Sequence, residues 1–490
     1  MSYVLGIDIG TGSVKAVAVD LKGNSFLDCA QHYPFSSPKA GYHEQDPEQI
    51  WQAFVVNLKN IIAKIGAQPA AIGLSSALHS FIAVDENGVP LAPMMTWADS
   101  RSFAVAKRLR ASDEGMAIYT TTGTPLHAMS PLCKLIWLKE NDPELFNKAF
   151  KFISIKEYIW YKMFHEFEVD HSIASGTGLF NITTLKWHQA SLELTGITTE
   201  RLSVTVPTDF TRKSNGSPDD CGFLPVGTPI TIAGSDGCLA NLGSMADKPG
   251  IAALTIGTSG AVRVASAVPL PNPKAMTFSY ILDKDTYICG GPINNGGIAM
   301  QWWLKNFIGP DLSTEDYNAV FEQIAGVNPG SDGLIFLPYL TGERAPIWDS
   351  ETCGNFFGVK LQHTKAHFSR AVLEGICYAL KDVLDAVQQN SVPITQINVS
   401  GGFVQSAVWV QISADILDKK LVVLQNEDAS AVGAAFIAMK ATGLAAEYPT
   451  LLSSGQVYLP NPKSKSAYVR NFGIYKQLYT DLMGTMHRSN

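Results

Sequence analysis

Along the first twenty residues the apolar positions are contiguous rather than spaced. Val4 to Ile9 is an apolar run of strand length, Gly10-Thr11-Gly12-Ser13 is too small to continue it, and Val14 to Val19 resumes it. This pattern predicts a hairpin with a turn of glycines and hydroxyls. Lys22-Gly-Asn24 turns the chain into a third strand beginning near Ser25. Asp46-Pro-Glu-Gln then starts a helix, with Asp46 as N-cap and Pro47 at the first position, expected to run to about Lys64. Ala71–Ser76 is a buried strand, and Phe81 to Pro93 reads as a hairpin pivoting on Asn87-Gly88. From 99 to 190 the spacing, as around Trp137, is largely helical. Leu224 to Ala233 returns to strand and leads through Gly234-Ser-Asp-Gly237 into a helix.

The opening pattern recurs in the middle of the chain, where Ile251 to Val264 again reads as strand, Gly-Thr-Ser-Gly turn and strand. Farther on, Phe368, Val372, Ile376, Ala379, Leu380, Val383 and Val387 share one face of a long core helix over 365 to 389. Ile397 to Ser400 is a strand ending in Gly401-Gly402, and another helix starts at Ala407. Strands alternating with helices predict the α/β class, and two halves opening on the same hairpin predict a duplicated fold holding a ligand between them. The polar, Pro-Gly-containing stretch from Ser244 to Gly250 marks the boundary, giving domains 1–246 and 247–490.

Composition narrows the classes. With 490 residues, two domains fit the usual size of a single core, and 46% hydrophobic with 17% charged residues excludes a disordered or fibrous chain. A net charge of −7 without a Lys/Arg run makes nucleic acid an unexpected partner. The seven cysteines, at 29, 133, 221, 238, 289, 353 and 377, are scattered and never in CxxC spacing, so they read as apolar fillers in a reducing cytoplasm. No basic-then-apolar leader opens the sequence and no apolar run reaches the ~18 residues of a membrane span, so neither secretion nor a membrane partner is expected.

Several residues are candidates for chemistry. Glycines in the Gly10–Ser13 turn admit backbone N–H groups to an anion such as a phosphate, and Thr11 and Ser13 add hydroxyl donors. Asp8, at the end of the first strand, suits a hydrated Mg²⁺ shared with phosphate oxygens. Asp236 stands between a strand and a helix, where its carboxylate could accept a proton from a substrate hydroxyl; an aspartate before a helix also serves as an N-cap. His79, Trp97, Asp99 and Arg101 could line one rim of the same cleft, although an isolated His is often structural and an Asp-x-Arg pair often a surface ion pair. Lys134 could be a helix-face charge and nothing more.

The run Met129-Ser-Pro-Leu-Cys-Lys-Leu-Ile-Trp-Leu-Lys-Glu-Asn141 and the run from Gly354 to Glu374 resemble, in order, the two signatures of the FGGY carbohydrate kinases, and Leu337 to Pro346 is a further family-like stretch. The resemblance spans nearly the whole chain. It implies a two-domain actin-like, ribonuclease-H-like fold and an ATP- and Mg²⁺-dependent sugar kinase. It further implies a metal-associated role for Asp8, with Asp236 as catalytic base and second carboxylate at the metal. Gly10, Thr11, Gly12, Ser13 and Lys15 would then make the first phosphate contacts, Gly257, Thr258 and Ser259 the second, and Gly401 and Gly402 the glycine turn under the adenine nucleotide. Phe403 stands where many relatives carry a small residue.

Ser75 to Ser80, Thr96 to Arg101, Gly123 to His127 and Gly291 to Gly297 look most like the gluconokinases, with Leu78 in place of the usual methionine. The implied substrate is a sugar acid, gluconate, which Arg101, His79 or Lys134 near its carboxylate would favour. A pentulose such as xylulose is the alternative, a homodimer is an allowed assembly, and an actin-like nucleotide-dependent chaperone is the reading from another class.

Overall fold

The computed structural model describes residues 2–216, 222–424, 428–450 and 455–489. Cys221, read above as an apolar filler, lies outside the described residues; the other six cysteines are free thiols.

Two sheets form the scaffold. The first has six strands in the order Thr211–Lys213, Pro229–Ser235, Ala71–Ser76, Tyr3–Ile9, Ser13–Asp20 and Ser25–His32. The second has seven, in the order Phe278–Asp283, Thr286–Ile293, Gly260–Ser266, Ile251–Ile256, Gln396–Ser400, Lys420–Val423 and Val457–Tyr458. Each sheet is built around the hairpin the sequence repeats. Tyr3–Ile9 pairs antiparallel with Ser13–Asp20 and parallel with Ala71–Ser76, just as Ile251–Ile256 pairs antiparallel with Gly260–Ser266 and parallel with Gln396–Ser400.

The helix Pro47–Ile65 starts as the sequence dictates: the Asp46 side chain accepts the Glu48 N–H, Pro47 occupies the first turn, and Gly66 closes the end in a left-handed conformation. The long helix Lys365–Gln388 buries the apolar face read from its spacing. After Phe81 the chain turns at Asn87-Gly88 and comes back along itself, with Asp85 N–H bonding the Val89 carbonyl, Leu91 N–H the Ala83 carbonyl and Phe81 bridging Met95. The return leg is irregular, and Ile82–Val84 pairs on its other edge with Lys151–Ile153. Pro90 and Pro93 lack the N–H groups that a continuous returning strand would donate.

The sequence boundary does not delimit the packing. Helix Ala429–Ala441, from the second half, lies against the first sheet and against helix Asp236–Gly243. Four glycines permit that approach: a Cβ on Gly6, Gly73, Gly243 or Gly433 would meet a backbone oxygen at 1.7, 2.0, 2.0 or 2.1 Å, respectively. The helical segment after residue 103 also contributes to the core of the second half, with the Tyr119 hydroxyl donating to the Thr277 carbonyl at 2.8 Å.

Candidate active site

Between the halves lies a cavity of about 370 Å³, and its wall joins groups from distant parts of the chain: Thr11, His79, Trp97, Asp236, Gly257 and Ser259. Both hairpin turns therefore reach one space. Each turn is closed by its own backbone bond, Gly10 N–H to the Ser13 carbonyl at 3.0 Å and Gly257 N–H to the Ser259 carbonyl at 2.9 Å. A Cβ on Gly12 or Gly257 would touch nothing within 4 Å, so both glycines border open space. Gly401 is required for a different reason: its φ is +101°, and a Cβ there would lie 2.4 Å from the Ile256 carbonyl oxygen, which sets the 401–402 turn directly beside the second hairpin. Phe403 is buried in the core against Trp409, the ring centroids 5.9 Å apart.

Asp236 is the first residue of its helix, and Ser235, not Asp236, occupies the N-cap position. Its carboxylate accepts the Gly237 N–H at 2.7 Å and the Leu78 N–H. Burial raises its pKa while the Arg263 guanidinium acts in the opposite direction. The strand leading to it is pinned from below: Lys156 Nζ donates to the Gly234 carbonyl at 2.8 Å and pairs with Asp170 at 2.9 Å, both side chains buried.

Asp8 accepts the Ser75 hydroxyl at 2.6 Å. Burial and the charge of Asp236 push its pKa up to about 7. Two mutually repelling carboxylates beside the first glycine turn suit a Mg²⁺, an ion that keeps several waters among its ligands. Lys15 does not line the cavity; it forms an ion pair with Asp428 at 2.8 Å, joining the first sheet to the start of helix Ala429–Ala441.

The sugar-side residues divide into two groups. Trp97 donates its indole N–H to the Thr11 hydroxyl at 2.8 Å, linking the cavity wall to the first turn. His79 has a φ of +66° and sets Nδ1 2.9 Å from the Gly176 carbonyl. A carbonyl only accepts, so Nδ1 carries the proton and Nε2 faces the Tyr280 hydroxyl at 3.4 Å as an acceptor. Burial and then Lys134 lower the His79 pKa to about 3, so the ring is neutral. Lys134 lies beneath the wall, donating to the carbonyls of His79 at 2.5 Å and Thr96 at 2.7 Å, and so holds one wall residue and the residue preceding another, Trp97.

Asp99 and Arg101 are not in the wall. Arg101 grips the Asp99 carboxylate through Nε and Nη2, reaches Glu44 at 2.5 Å and stacks on the Tyr42 ring at 3.5 Å. The expected cation for a sugar carboxylate is thus spent on an internal network. The wall instead contains Met129, Arg263, Phe278, Tyr280, Pro292 and Arg344; the family-like runs included Met129, Pro292 and Arg344, but the sequence reading gave none of the six a role in the site. One signal was available, a lone cation, Arg263, in the otherwise apolar strand Gly260–Ser266.

Family models for the N-terminal and C-terminal domains of the FGGY family of carbohydrate kinases match residues 3–243 and 252–442. A gluconokinase of Bacillus subtilis (strain 168) is 40% identical over 477 residues, 95% of this chain and 93% of its own. Among solved structures, a gluconate kinase from Lactobacillus acidophilus superposes with a TM-score of 0.94 at 33% identity, covering 100% of both chains. A ligand-bound xylulose kinase from the same organism superposes with a TM-score of 0.93, also at 33% identity and with 100% of both chains covered.

Proposed function

Because the chain belongs to the FGGY family of carbohydrate kinases, we propose that it phosphorylates a six-carbon sugar acid, D-gluconate, to 6-phospho-D-gluconate at the expense of ATP. The observation that carries this reading is the convergence of Asp236 with Thr11, Gly257 and Ser259 on one cavity. A hydroxyl placed at Asp236 meets a γ-phosphoryl group held by the two turns. Asp236 takes the proton as the substrate oxygen bonds to phosphorus, and the bond from phosphorus to the bridging oxygen breaks, that oxygen leaving with ADP. Asp8 and Asp236 would hold Mg²⁺, which supplies charge neutralisation at the phosphates. Backbone N–H groups and the Thr11 and Ser13 hydroxyls then act by position and electrostatics. Among the described residues no helix is long and apolar enough to cross a membrane, and scattered free thiols suit a reducing cytoplasm.

Substrate choice is tested by a coupled assay over sugar acids and neutral sugars. Gluconate is expected to exceed xylulose in kcat/KM by at least about tenfold, which needs only ~1.4 kcal/mol of differential transition-state binding. Xylulose is the competing reading, supported by the equally identical xylulose kinase structure. If xylulose proves the better substrate, gluconate is wrong while the role of Asp236 survives.

The second turn is tested by Gly257→Val. The position has an ordinary backbone conformation and no protein neighbour for a Cβ, so the variant folds, and the added bulk lies where a phosphate must approach. ATP affinity by calorimetry should fall about tenfold or more, a loss of one or two backbone hydrogen bonds to a charged group, with sugar binding retained. Unchanged ATP affinity removes this turn from the nucleotide site.

A further inference from the structure

We propose that Arg263 and Arg344 together read the carboxylate of the substrate, a deepening that rests on the sugar-acid reading above. Both line the cavity. Each buries a guanidinium nitrogen with no hydrogen-bond partner, Nη1 of Arg263 and Nε of Arg344. Among the described residues neither forms an ion pair within 4.0 Å of a carboxylate. Two such guanidinium groups in one wall make a site whose charge an anion can balance.

Arg344 is fixed in place by its neighbours. Its Nη2 donates to the Ile293 carbonyl at 3.0 Å, and its guanidinium lies 5.4 Å from the Trp97 ring. Glu343, its neighbour in sequence, is the nearest opposite charge but makes no ion pair with it: that carboxylate accepts the backbone N–H groups of Asn294 and of Arg344 itself, and the Asn295 amide at 3.2 Å. Burial brings the Arg344 pKa down to about 10, still charged at neutral pH. Arg263 lies within electrostatic reach of both Arg344 and Asp236. The cavity wall therefore carries a carboxylate base, with Arg263 close to it, and a second guanidinium group at Arg344, so that an anionic substrate end can balance the paired positive charge. A neutral sugar leaves the two guanidinium charges without a counter-ion, which is how such a site rejects it.

The probe is a matched pair, D-gluconate and D-glucitol, which differ only in a carboxylate against a CH₂OH. Binding is measured by calorimetry without ATP. The unmodified protein should bind gluconate at least tenfold more tightly than glucitol. Arg344→Met and Arg263→Met should each shrink that ratio about tenfold or more, through gluconate, with glucitol affinity within about threefold of its starting value. Arg344→Lys and Arg263→Lys keep the charge and guard against misfolding of the Met variants; they should restore part of the ratio. A ratio that survives all four substitutions overturns the arginine assignment alone. Absence of any preference in the unmodified protein overturns the sugar-acid reading and this proposal with it.

Discussion

Asp236→Asn should bind ATP and sugar normally and turn over roughly 10²- to 10⁴-fold more slowly, the range for removal of a general base. The amide is isosteric, and its oxygen can still accept the Gly237 and Leu78 N–H groups that hold the carboxylate. What is lost is the ability to take a proton, together with the negative charge that would help Asp8 hold Mg²⁺. Because Arg263 sits nearby and the rest of the wall is unchanged, the loss should appear in kcat and not as a raised KM for the sugar. Single-turnover kinetics with bound ATP measures it. Near-normal turnover would reduce Asp236 to an acidic residue at a helix start, stabilising the helix dipole and nothing else.

Gly6→Ala and Gly73→Ala should each cost about 3 kcal/mol, the upper end of overpacking, because the atoms in the way are backbone. The new Cβ would fall 1.7 Å from the Ala431 carbonyl oxygen or 2.0 Å from that of Ala434, and neither oxygen can rotate aside. Helix Ala429–Ala441 must then lift off the first sheet. That helix also connects to the site, since the Ser430 hydroxyl donates to the Asp236 carbonyl at 3.2 Å and Asp428 pairs with Lys15. Urea midpoints at constant slope give the stability loss, and activity of the folded fraction should fall as well. An unchanged midpoint would mean the helix does not lie this close to the sheet.

Local elements were legible where one rule dominated. The apolar runs on either side of Gly10–Ser13 and of Gly257–Ser259 had no alternative to strand, and Asp46-Pro47 had no alternative to a helix start. The hairpin after Phe81 was legible at its Asn87-Gly88 turn, whereas the irregular return leg around Pro90 and Pro93 and the pairing of Ile82–Val84 with the distant Lys151–Ile153 were not. Arg101 misled for a related reason. A cation four residues from a site-like tryptophan looks available, and nothing local shows that Asp99, Glu44 and the Tyr42 ring all claim it.

The sequence by itself determined the class, the duplicated hairpins, the family resemblance and the place of Asp236 at a strand-to-helix turn, because each is written in contiguous residues with their own backbone preferences. Only the tertiary structure decided which side chains share the cavity. Arg263 and Arg344, 81 positions apart, line one cavity because Ala345 N–H bonds the Pro292 carbonyl at 3.0 Å while Pro292 pairs across the sheet with Ala261. Whether a charged group is spent internally or left facing a ligand depends on neighbours brought from far along the chain, and no local pattern encodes that.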